Sequence, residues 1–403
     1  MTAQPTIRWT EAGHTSTAGW RSEAGVPAHQ RVMIADEQMA ADEAYHLACE
    51  GTALLWRGDF QNAKQMLLAM GRRVDEKTRR ALKNKTAAKK SPTPAKPSKK
   101  PVPVVTPTDA FHKHRLAQSQ RARILGMLLI PLSDDYKVPL RRAPDLQLAC
   151  EEAYGKPVTG GITRDWVVSL RELLGLIGAH EWRKKGVEVA ALSANVHPHY
   201  GVFAPVRGEY VNLVAEAAFA DGKTPAIAFD IGTGTGVLAA VLAQRGVARV
   251  VATDLDERAI FCANENMRRL KLAPVVQVLQ TNLFPEGRAP LVVCNPPWIP
   301  ARASAPIENA IYDHDSAMLR GYLSGLNAHL TPGGEGWLIL SDIAEHLGLR
   351  SRAQLLEWIE AGGLKVVAQT DVRPTHPRVS DTDDPLHVAR AAEVTSLWRL
   401  AAK

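Results

Sequence analysis

Short apolar runs alternate with helical patterns through the second half of the chain. Between residues 226 and 298 the apolar runs are Ala226 to Ile231, Val250 to Asp254, Val275 to Leu279 and Leu291 to Cys294. After the first run, apolar residues recur at positions 237, 238, 241 and 242, a spacing that predicts a helix. Buried strands that alternate with helices are typical of an α/β domain with a mostly parallel sheet.

The same alternation continues towards the C-terminus. Helices are predicted at residues 317–330 and 352–361, and strands at residues 337–340, 364–370 and 394–400. We therefore expect one α/β domain of the Rossmann-like type over residues 186–403.

The first half of the chain has a different pattern. Residues 36–82 and 109–185 carry apolar residues at helical spacing. Residues 1–35 carry Gly, Ser, Thr and Pro with few apolar clusters, which predicts irregular structure. The expected organisation is an N-terminal helical module at residues 1–82 with an irregular start, and a second helical region at residues 109–185.

Residues 83–108 separate these two helical regions. They contain seven lysines interleaved with prolines, and they contain no acid. Because this composition cannot bury a core, we expect a disordered, extended linker. The linker either tethers the chain electrostatically to phosphate backbones or serves as a solvated spacer. The absence of aromatic side chains that stack on bases favours the spacer.

The composition of the 403 residues is that of an ordinary globular protein, with 45% hydrophobic and 23% charged residues. Apolar runs are all shorter than the roughly 20 residues of a membrane span, and residues 1–10 lack the pattern of a secretion signal. The four cysteines are scattered without metal-ligand spacing, so we expect a reduced, cytoplasmic protein without a metal site. The formal net charge of +7 points to an acidic partner such as RNA.

A glycine-rich turn follows the first strand of the α/β domain. Residues 232–236 alternate glycine with threonine between the predicted strand and the predicted helix. Glycines permit backbone conformations that bring bare N–H groups close to a ligand. The order differs from the Gly-x-Gly-x-x-Gly of dinucleotide-binding proteins. Asp254 ends the next strand, where an acid accepts hydrogen bonds from ribose hydroxyls, and Asp256 is the alternative for this role.

A second signal lies at the end of the fourth apolar run, where Asn295-Pro296-Pro297-Trp298 follows. Ligands of open α/β sheets bind at the carboxyl ends of strands. With the glycine turn and the acid, this tetrapeptide resembles the class I S-adenosylmethionine-dependent methyltransferases, in the branch with an Asn/Asp-Pro-Pro-aromatic motif. The longer motif Asn-Pro-Pro-Trp-Ile-Pro most resembles the release-factor glutamine methyltransferase group. The resemblance implies S-adenosyl-L-methionine as the cofactor and a sheet whose last strand is antiparallel.

Nitrogen methylation explains the residue types of this tetrapeptide. An amide or aryl-amino nitrogen is a poor nucleophile because its lone pair is delocalised. The side-chain oxygen of Asn295 and the carbonyl of Pro296 are expected to accept the two N–H bonds of the target and to aim its lone pair at the methyl group. Trp298 offers a flat face to the planar target. The expected catalytic residues are Asn295, Pro296, Pro297 and Trp298.

The resemblance also implies cofactor contacts. Asp230 is expected to anchor the methionine ammonium group, Asp254 to bind the ribose, and Asn282 and Leu283 to flank the adenine. Related enzymes more often carry Asp at the position of Asn282, and the amide oxygen of Asn can still accept from the adenine amino group. The expected cofactor-binding set is Asp230, Gly232, Thr233, Gly234, Gly236, Asp254, Asn282, Leu283 and Asn295.

A segment ahead of the α/β domain supplies further candidates. Phe203, Pro205 and Arg207 lie where related enzymes carry a Pro-rich lid over the cofactor pocket. The Pro-Arg-Pro-x-Thr-Glu pattern of those enzymes is not reproduced, and an ordinary loop-to-helix junction is the alternative.

Two classes of methyl acceptor remain open. A protein glutamine, in a release factor or a ribosomal protein, is slightly favoured by the motif and by the helical region at residues 109–185, because release-factor enzymes carry a substrate-contacting helical domain there. Adenine N6 or guanine N2 in RNA or DNA is the alternative, favoured by the basic linker and by the flat face of Trp298. A catalytically inactive scaffold is a third hypothesis, and the intact Asn295 and Pro296 argue against it. We expect no membrane partner.

Overall fold

The computed structural model describes residues 5–90, 106–157, 165–303, 306–375 and 381–403. The chain divides into two compact units. The first comprises Met1–Val105 and His112–Gly178, and the second comprises Thr106–Phe111 and Ala179–Lys403.

The first unit is built on a six-stranded mixed sheet. Its strands are β1 (Thr6–Glu11), β2 (His14–Arg21), β3 (Arg31–Ala35), β4 (Thr52–Trp56), β5 (Leu128–Leu132) and β6 (Trp166–Ser169). The order is β1-β2-β6-β5-β4-β3, with antiparallel pairing of β1 with β2 and of β5 with β6, and parallel pairing elsewhere. The helices are α1 (Ala41–Cys49), α2 (Phe60–Lys90), α3 (Pro107–Leu125), α4 (Gln147–Tyr154) and α5 (Leu170–Lys185), and both α3 and α5 also contribute residues to the second unit.

The predictions of an irregular start and of purely helical regions before the α/β domain are wrong. Strands β1 to β3 lie within residues 1–35, β4 interrupts residues 36–82, and β5 and β6 interrupt residues 109–185. Strand β1 is six residues long and only Ile7 is buried, so its alternation of apolar and polar residues is too short to indicate a strand. Strand β4 is buried at all five positions. A short run of buried residues occurs in strands and in buried helices alike, so the sequence pattern could not distinguish the two.

Helix α2 overlaps the predicted linker. It extends to Lys90, so the prediction of an extended chain is wrong for residues 83–90. Residues 77–90 are rich in Lys, Arg and Ala, which favour helix, and the first proline stands at position 92. Residues 91–105, the rest of the Lys/Pro-rich stretch up to α3, lie outside the described residues.

The second unit contains a seven-stranded sheet. A small antiparallel pair, β7 (Val187–Val189) and β8 (Ala194–Val196), precedes it. The sheet strands are β9 (Ile227–Ile231), β10 (Arg249–Asp254), β11 (Val276–Gln280), β12 (Ala289–Cys294), β13 (Leu330–Ser341), β14 (Leu364–Val372) and β15 (Thr395–Ala402). The helices are α6 (Gly208–Glu216), α7 (Val237–Gln244), α8 (Glu257–Arg269), α9 (Ala317–His329), α10 (Ile343–His346), α11 (Arg352–Ala361) and α12 (His387–Ala392).

The strand order confirms the predicted fold of this part of the chain. It is β11-β10-β9-β12-β13-β15-β14, in which β9 to β13 run parallel and β15 is antiparallel to both of its neighbours. The sheet is thus mostly parallel with an antiparallel last strand. The order reverses at β9, and the carboxyl ends of β9 and β12 flank the point where ligands of such sheets bind.

Both faces of the central strands β9, β10, β12 and β13 are buried. On β9, Ala228 belongs to a hydrophobic cluster that includes Leu238 of α7, and Phe229 belongs to a second cluster that includes Leu319 of α9. Successive strand residues point to opposite faces, so burial of both faces produces the continuous apolar runs seen in the sequence. Helices pack on these faces, and the residues predicted for the site lie at or just after the ends of β9, β10 and β12. Within the described ranges, helices long and apolar enough to cross a lipid bilayer are absent.

Candidate functional site

The register of the parallel strands brings the predicted site residues together. Ile231, the last residue of β9, lies opposite Thr253 of β10 on one side and opposite Cys294 of β12 on the other. Adjacent strands lie about 4.8 Å apart. The glycine turn, Asp254 and Asn295 each follow these three residues directly, so all three leave the same edge of the sheet as neighbours.

The glycine turn is held against β10 and keeps one position open. Its three glycines adopt φ angles of 72°, 54° and 83°, and residues other than glycine rarely adopt such angles. The N–H of Gly234 donates to Oδ2 of Asp254 at 2.9 Å. A Cβ atom at Gly236 would lie 2.8 Å from Cε of Met267, whereas a Cβ atom at Gly234 would find no described atom within 4 Å. The turn is therefore packed on its inner side and open to a ligand at Gly234.

Asp230 is a buried carboxylate at the end of β9, with 1% of its surface exposed. Its Oδ2 accepts from the Thr233 hydroxyl at 2.6 Å and from the Ala239 N–H at 3.1 Å. Burial raises the pKa of Asp230 to about 6, and the nearby charge of Asp254 acts in the same direction. A cation bound here would lower this pKa, as expected for a residue that faces an ammonium group.

Asp254 and Asp256 have different roles in the structure. Asp254 is half-buried, burial raises its pKa, and its Oδ1 accepts the Asp256 N–H at 3.0 Å. The Asp256 side chain caps α8 by accepting the Arg258 N–H at 2.9 Å. Because Asp254 is held beside the glycine turn, whereas Asp256 is exposed and caps α8, the geometry favours Asp254 for the ribose hydroxyls.

Asn282 and Leu283 lie in the loop that follows β11, across the end of β10. The Thr253 hydroxyl donates to the Leu283 carbonyl at 2.6 Å, and the Thr281 N–H donates to the Asp254 carbonyl at 3.0 Å. Leu283 has a φ of 62°. These bonds bring the two predicted adenine-flanking residues to the same sheet edge as Asp254.

The tetrapeptide contains one hydrogen bond that the sequence did not reveal. The indole N–H of Trp298 donates to Oδ1 of Asn295 at 2.9 Å. Pro296 is buried, while Pro297 and Trp298 are half-buried. Oδ1 of Asn295, which is expected to accept an N–H of the target, thus already accepts the indole N–H of Trp298. An amide oxygen has two lone pairs, so it retains one for a substrate.

Glu209 is a further polar group at this edge that sequence reasoning missed. It lies in the first turn of α6, and its Oε1 is buried without a hydrogen-bond partner among the described residues. Buried carboxylate oxygens are normally satisfied, so Glu209 is a candidate for a contact with a polar ligand. The next residue, Tyr210, is buried, and the charges of Asp230 and Glu209 help to raise its pKa. The signal available in the sequence was the acid that follows the Pro-rich segment.

These residues fit S-adenosyl-L-methionine. The cofactor carries two cationic groups, a sulfonium and an ammonium, and the edge offers the buried carboxylate of Asp230 and the half-buried carboxylates of Asp254 and Glu209. The open glycine at position 234 gives room for a ligand against the backbone. The negative charge of these carboxylates suits the cationic groups of the cofactor. The open glycine turn beside Asp254 suits the ribose that connects the charged end of the cofactor to its adenine.

The strand order gives the second unit the fold of class I methyltransferases, and the residues grouped at its edge fit the cofactor of those enzymes. Residues 216–314 match the family described as ribosomal protein L11 methyltransferase (PrmA). The chain is 51% identical over 69 residues to the ribosomal protein L11 methyltransferase of Pelotomaculum thermopropionicum, which covers 17% of the chain and 22% of that protein.

Two other relatives match longer segments. The chain is 34% identical over 168 residues to the release factor glutamine methyltransferase of Cereibacter sphaeroides, covering 38% of the chain and 57% of that protein. It is 31% identical over 143 residues to the tRNA1(Val) (adenine(37)-N6)-methyltransferase of Bacteroides fragilis, covering 32% and 60%. The chain therefore spans less than two thirds of the length of each of these relatives. Among solved structures, a methyltransferase from Pyrococcus furiosus superposes with a TM-score of 0.38 at 16% identity, covering 58% of the chain and 99% of that structure.

We predict that Asp254→Ala weakens the binding of S-adenosyl-L-methionine by roughly 10- to 100-fold, because a hydrogen bond to a charged group contributes about 1.5–3 kcal/mol. Isothermal titration calorimetry measures this affinity. The control is Asp256→Ala, which removes the α8 cap and lowers the free energy of unfolding while leaving the affinity nearly unchanged. The reverse pattern would assign the ribose to Asp256.

Proposed function

We propose that this protein transfers a methyl group from S-adenosyl-L-methionine to a planar amide or amino nitrogen. One observation carries the proposal: Asn295 and the glycine turn leave neighbouring parallel strands at adjacent positions in the register. A donor held on the turn and an acceptor held on Asn295 then lie within reach of each other. When bound, the cofactor supplies an electrophilic methyl group on a sulfonium sulfur.

The residues of the chain prepare the acceptor nitrogen. Oδ1 of Asn295 and the carbonyl of Pro296 accept its two N–H bonds, which draws the nitrogen towards tetrahedral geometry and localises its lone pair. Transfer would form the C–N bond as the C–S bond breaks, and the methylated nitrogen would then lose a proton to solvent. Positioning and electrostatics lower the barrier, so a strong base is unnecessary.

A protein glutamine side chain is the slightly favoured acceptor. The sequence Asn-Pro-Pro-Trp-Ile-Pro supports it, and so does the match to release factor glutamine methyltransferases over 168 residues. The corresponding partner is a release factor or a ribosomal protein in the cytoplasm. The predicted substrate-recognition role of residues 109–185 belongs to the same proposal, although that region contributes to a mixed sheet as well as helices.

An amino group of adenine or guanine in RNA or DNA is the second candidate. The concentration of positive charge in one segment favours this candidate. Residues 64–125 contain 17 Lys and Arg but only three acids, whereas the whole chain has a net charge of +7. A segment of this charge attracts phosphate backbones. The match to tRNA1(Val) (adenine(37)-N6)-methyltransferases supports the same candidate.

Asn295→Ala is expected to lower kcat by at least about 100-fold, the loss typical for one hydrogen-bonding group that acts in the transition state. Cofactor affinity, measured by calorimetry, should stay within a few-fold of the wild-type value, because the variant retains the glycine turn and Asp254. Asn264→Ala is the matched control, since Asn264 lies on α8 and donates to the Ile260 carbonyl. Equal loss of binding and turnover would contradict the assigned role of Asn295.

Incubation with tritiated S-adenosyl-L-methionine and a methyl-deficient cell extract tests the acceptor class. We expect label that protease releases and that RNase and DNase leave intact. Label released by a nuclease instead would replace glutamine with the nucleic-acid acceptor. Failure to label any fraction, with the wild-type protein shown by calorimetry to bind the cofactor, would contradict the proposed transfer.

The basic segment generates a separate prediction for the second candidate. Substitution of Gln for Lys at positions 83, 85, 89, 90, 96, 99 and 100 should weaken RNA binding at low salt by more than tenfold and reduce the slope of log affinity against log salt. Substitution is preferable to deletion of residues 83–108, because Thr108 donates to the Leu347 carbonyl and the deletion would remove this contact. The control carries seven Lys→Gln changes at exposed positions 137, 156, 184, 185, 223, 271 and 365. Equal RNA affinity of the two variants would indicate that the basic segment is only a spacer.

A further inference from the structure

A buried acid and an arginine lie beside the tetrapeptide. Glu393, which precedes β15 by two residues, is 3% exposed. Its Oε1 accepts the Ser341 hydroxyl at 2.8 Å and Nη1 of Arg207 at 3.1 Å. Ser341 is the last residue of β13, whose neighbour in the sheet is β12. The ion pair therefore sits at the same carboxyl edge as Asn295, on the side away from the glycine turn.

Arg207 connects this acid to the aromatic residue of the motif. Its guanidinium carbon lies 5.8 Å from the centroid of the Trp298 ring, within the range of a cation–π contact. Trp298 in turn donates its indole N–H to Oδ1 of Asn295. A continuous series of contacts thus runs from Glu393 through Arg207 and Trp298 to the amide of Asn295.

The last contact in this series determines which end of the amide the acceptor meets. An amide has an oxygen that accepts and an NH₂ group that donates, and a rotation by 180° exchanges them. The indole N–H is a donor only, so it pairs with the oxygen and excludes the rotated form. The nitrogen that receives the methyl group donates its N–H bonds and therefore needs this oxygen. In the rotated form, the NH₂ group of Asn295 would face the N–H groups of the substrate, and no hydrogen bond could form.

We propose that Arg207, held by Glu393, is a positioning residue for the methyl-acceptor site: it fixes the Trp298 ring and, through the indole N–H, the orientation of the Asn295 amide. This inference rests on the proposed function for the role of Asn295. It moves Arg207 from the cofactor lid expected from its sequence position to the acceptor side. Arginine suits the role because its planar guanidinium stacks on a ring while its edge forms an ion pair, and lysine cannot do both.

The informative variant is Arg207→Lys. It preserves a positive charge beside Glu393, so the fold does not have to accommodate an unpaired buried carboxylate, but it loses the planar contact with the ring. We expect kcat to fall about tenfold, an effect of the size of one hydrogen bond, with cofactor affinity unchanged. Arg352→Lys is the matched control, because Arg352 pairs with Glu345 at 2.8 Å and lies 5.0 Å from the Trp398 ring without touching the tetrapeptide. This control should retain full turnover.

A spectroscopic signal separates positioning from a merely structural role. In a ¹⁵N-labelled protein, the indole resonance of Trp298 is assigned by its loss in Trp298→Phe. We expect this resonance to shift and its hydrogen exchange to accelerate in Arg207→Lys, and to stay unchanged in Arg352→Lys. The measurement needs no turnover, so it tests the contact even if the proposed methyl transfer fails.

A double-mutant cycle completes the test. If Arg207 acts through Trp298, then Arg207→Lys in the Trp298→Phe background should lower kcat by less than twofold. Independent, multiplicative losses in the double variant, or an unchanged indole resonance in Arg207→Lys, would overturn the proposal. A fall in cofactor affinity with kcat preserved would return Arg207 to the cofactor lid.

Discussion

The site depends on the hydrogen-bond register of three parallel strands. A shift of β12 by one residue against β9 would move Asn295 along the strand axis by about 3.3 Å and turn its side chain to the other face of the sheet. The register is held because both faces are buried: Val292 and Val293 belong to different hydrophobic clusters, so a slip would exchange them. Packing far from the strand ends therefore sets the distance between the glycine turn and Asn295.

Burial also explains the electrostatics of the edge. Helices on both faces exclude water from β9 and β10, and this exclusion raises the pKa of Asp230 and of Asp254. Backbone N–H groups of Ala239 and Gly234 act in the opposite direction and help to keep these carboxylates charged. The fold thus keeps negative charge in a place where it is poorly solvated. A bound cation stabilises such charge, so the burial that raises the free energy of these carboxylates also favours the binding of a cation.

The sequence predicted the parts of the structure whose signals are local. The strands from β9 to β12 are continuous apolar runs, and the glycine turn, Asp254 and the tetrapeptide follow them at once, so their meeting at one edge follows from parallel topology. The mixed sheet of the first unit was missed because its strands are short and its pairs distant in sequence: β2 bonds to β6, so Gly19 lies opposite Trp166. The Arg207–Glu393 pair joins residues 186 positions apart, and no local pattern indicates such a pair.

The contacts of Trp298 limit how an acceptor can bind. Arg207 approaches one face of the indole, and the N–H in the plane of the ring is directed at Asn295. In the proposed function, a planar acceptor that stacks on the indole uses the opposite face, with one N–H towards the remaining lone pair of the Asn295 oxygen and the other towards the Pro296 carbonyl. A glutamine amide and an adenine amino group both satisfy this geometry, because each carries its NH₂ in the plane of a conjugated system. If the proposal holds, the tetrapeptide and its supporting ion pair select a conjugated NH₂ group, and the choice between protein and nucleic acid comes from surfaces that contact the rest of the substrate.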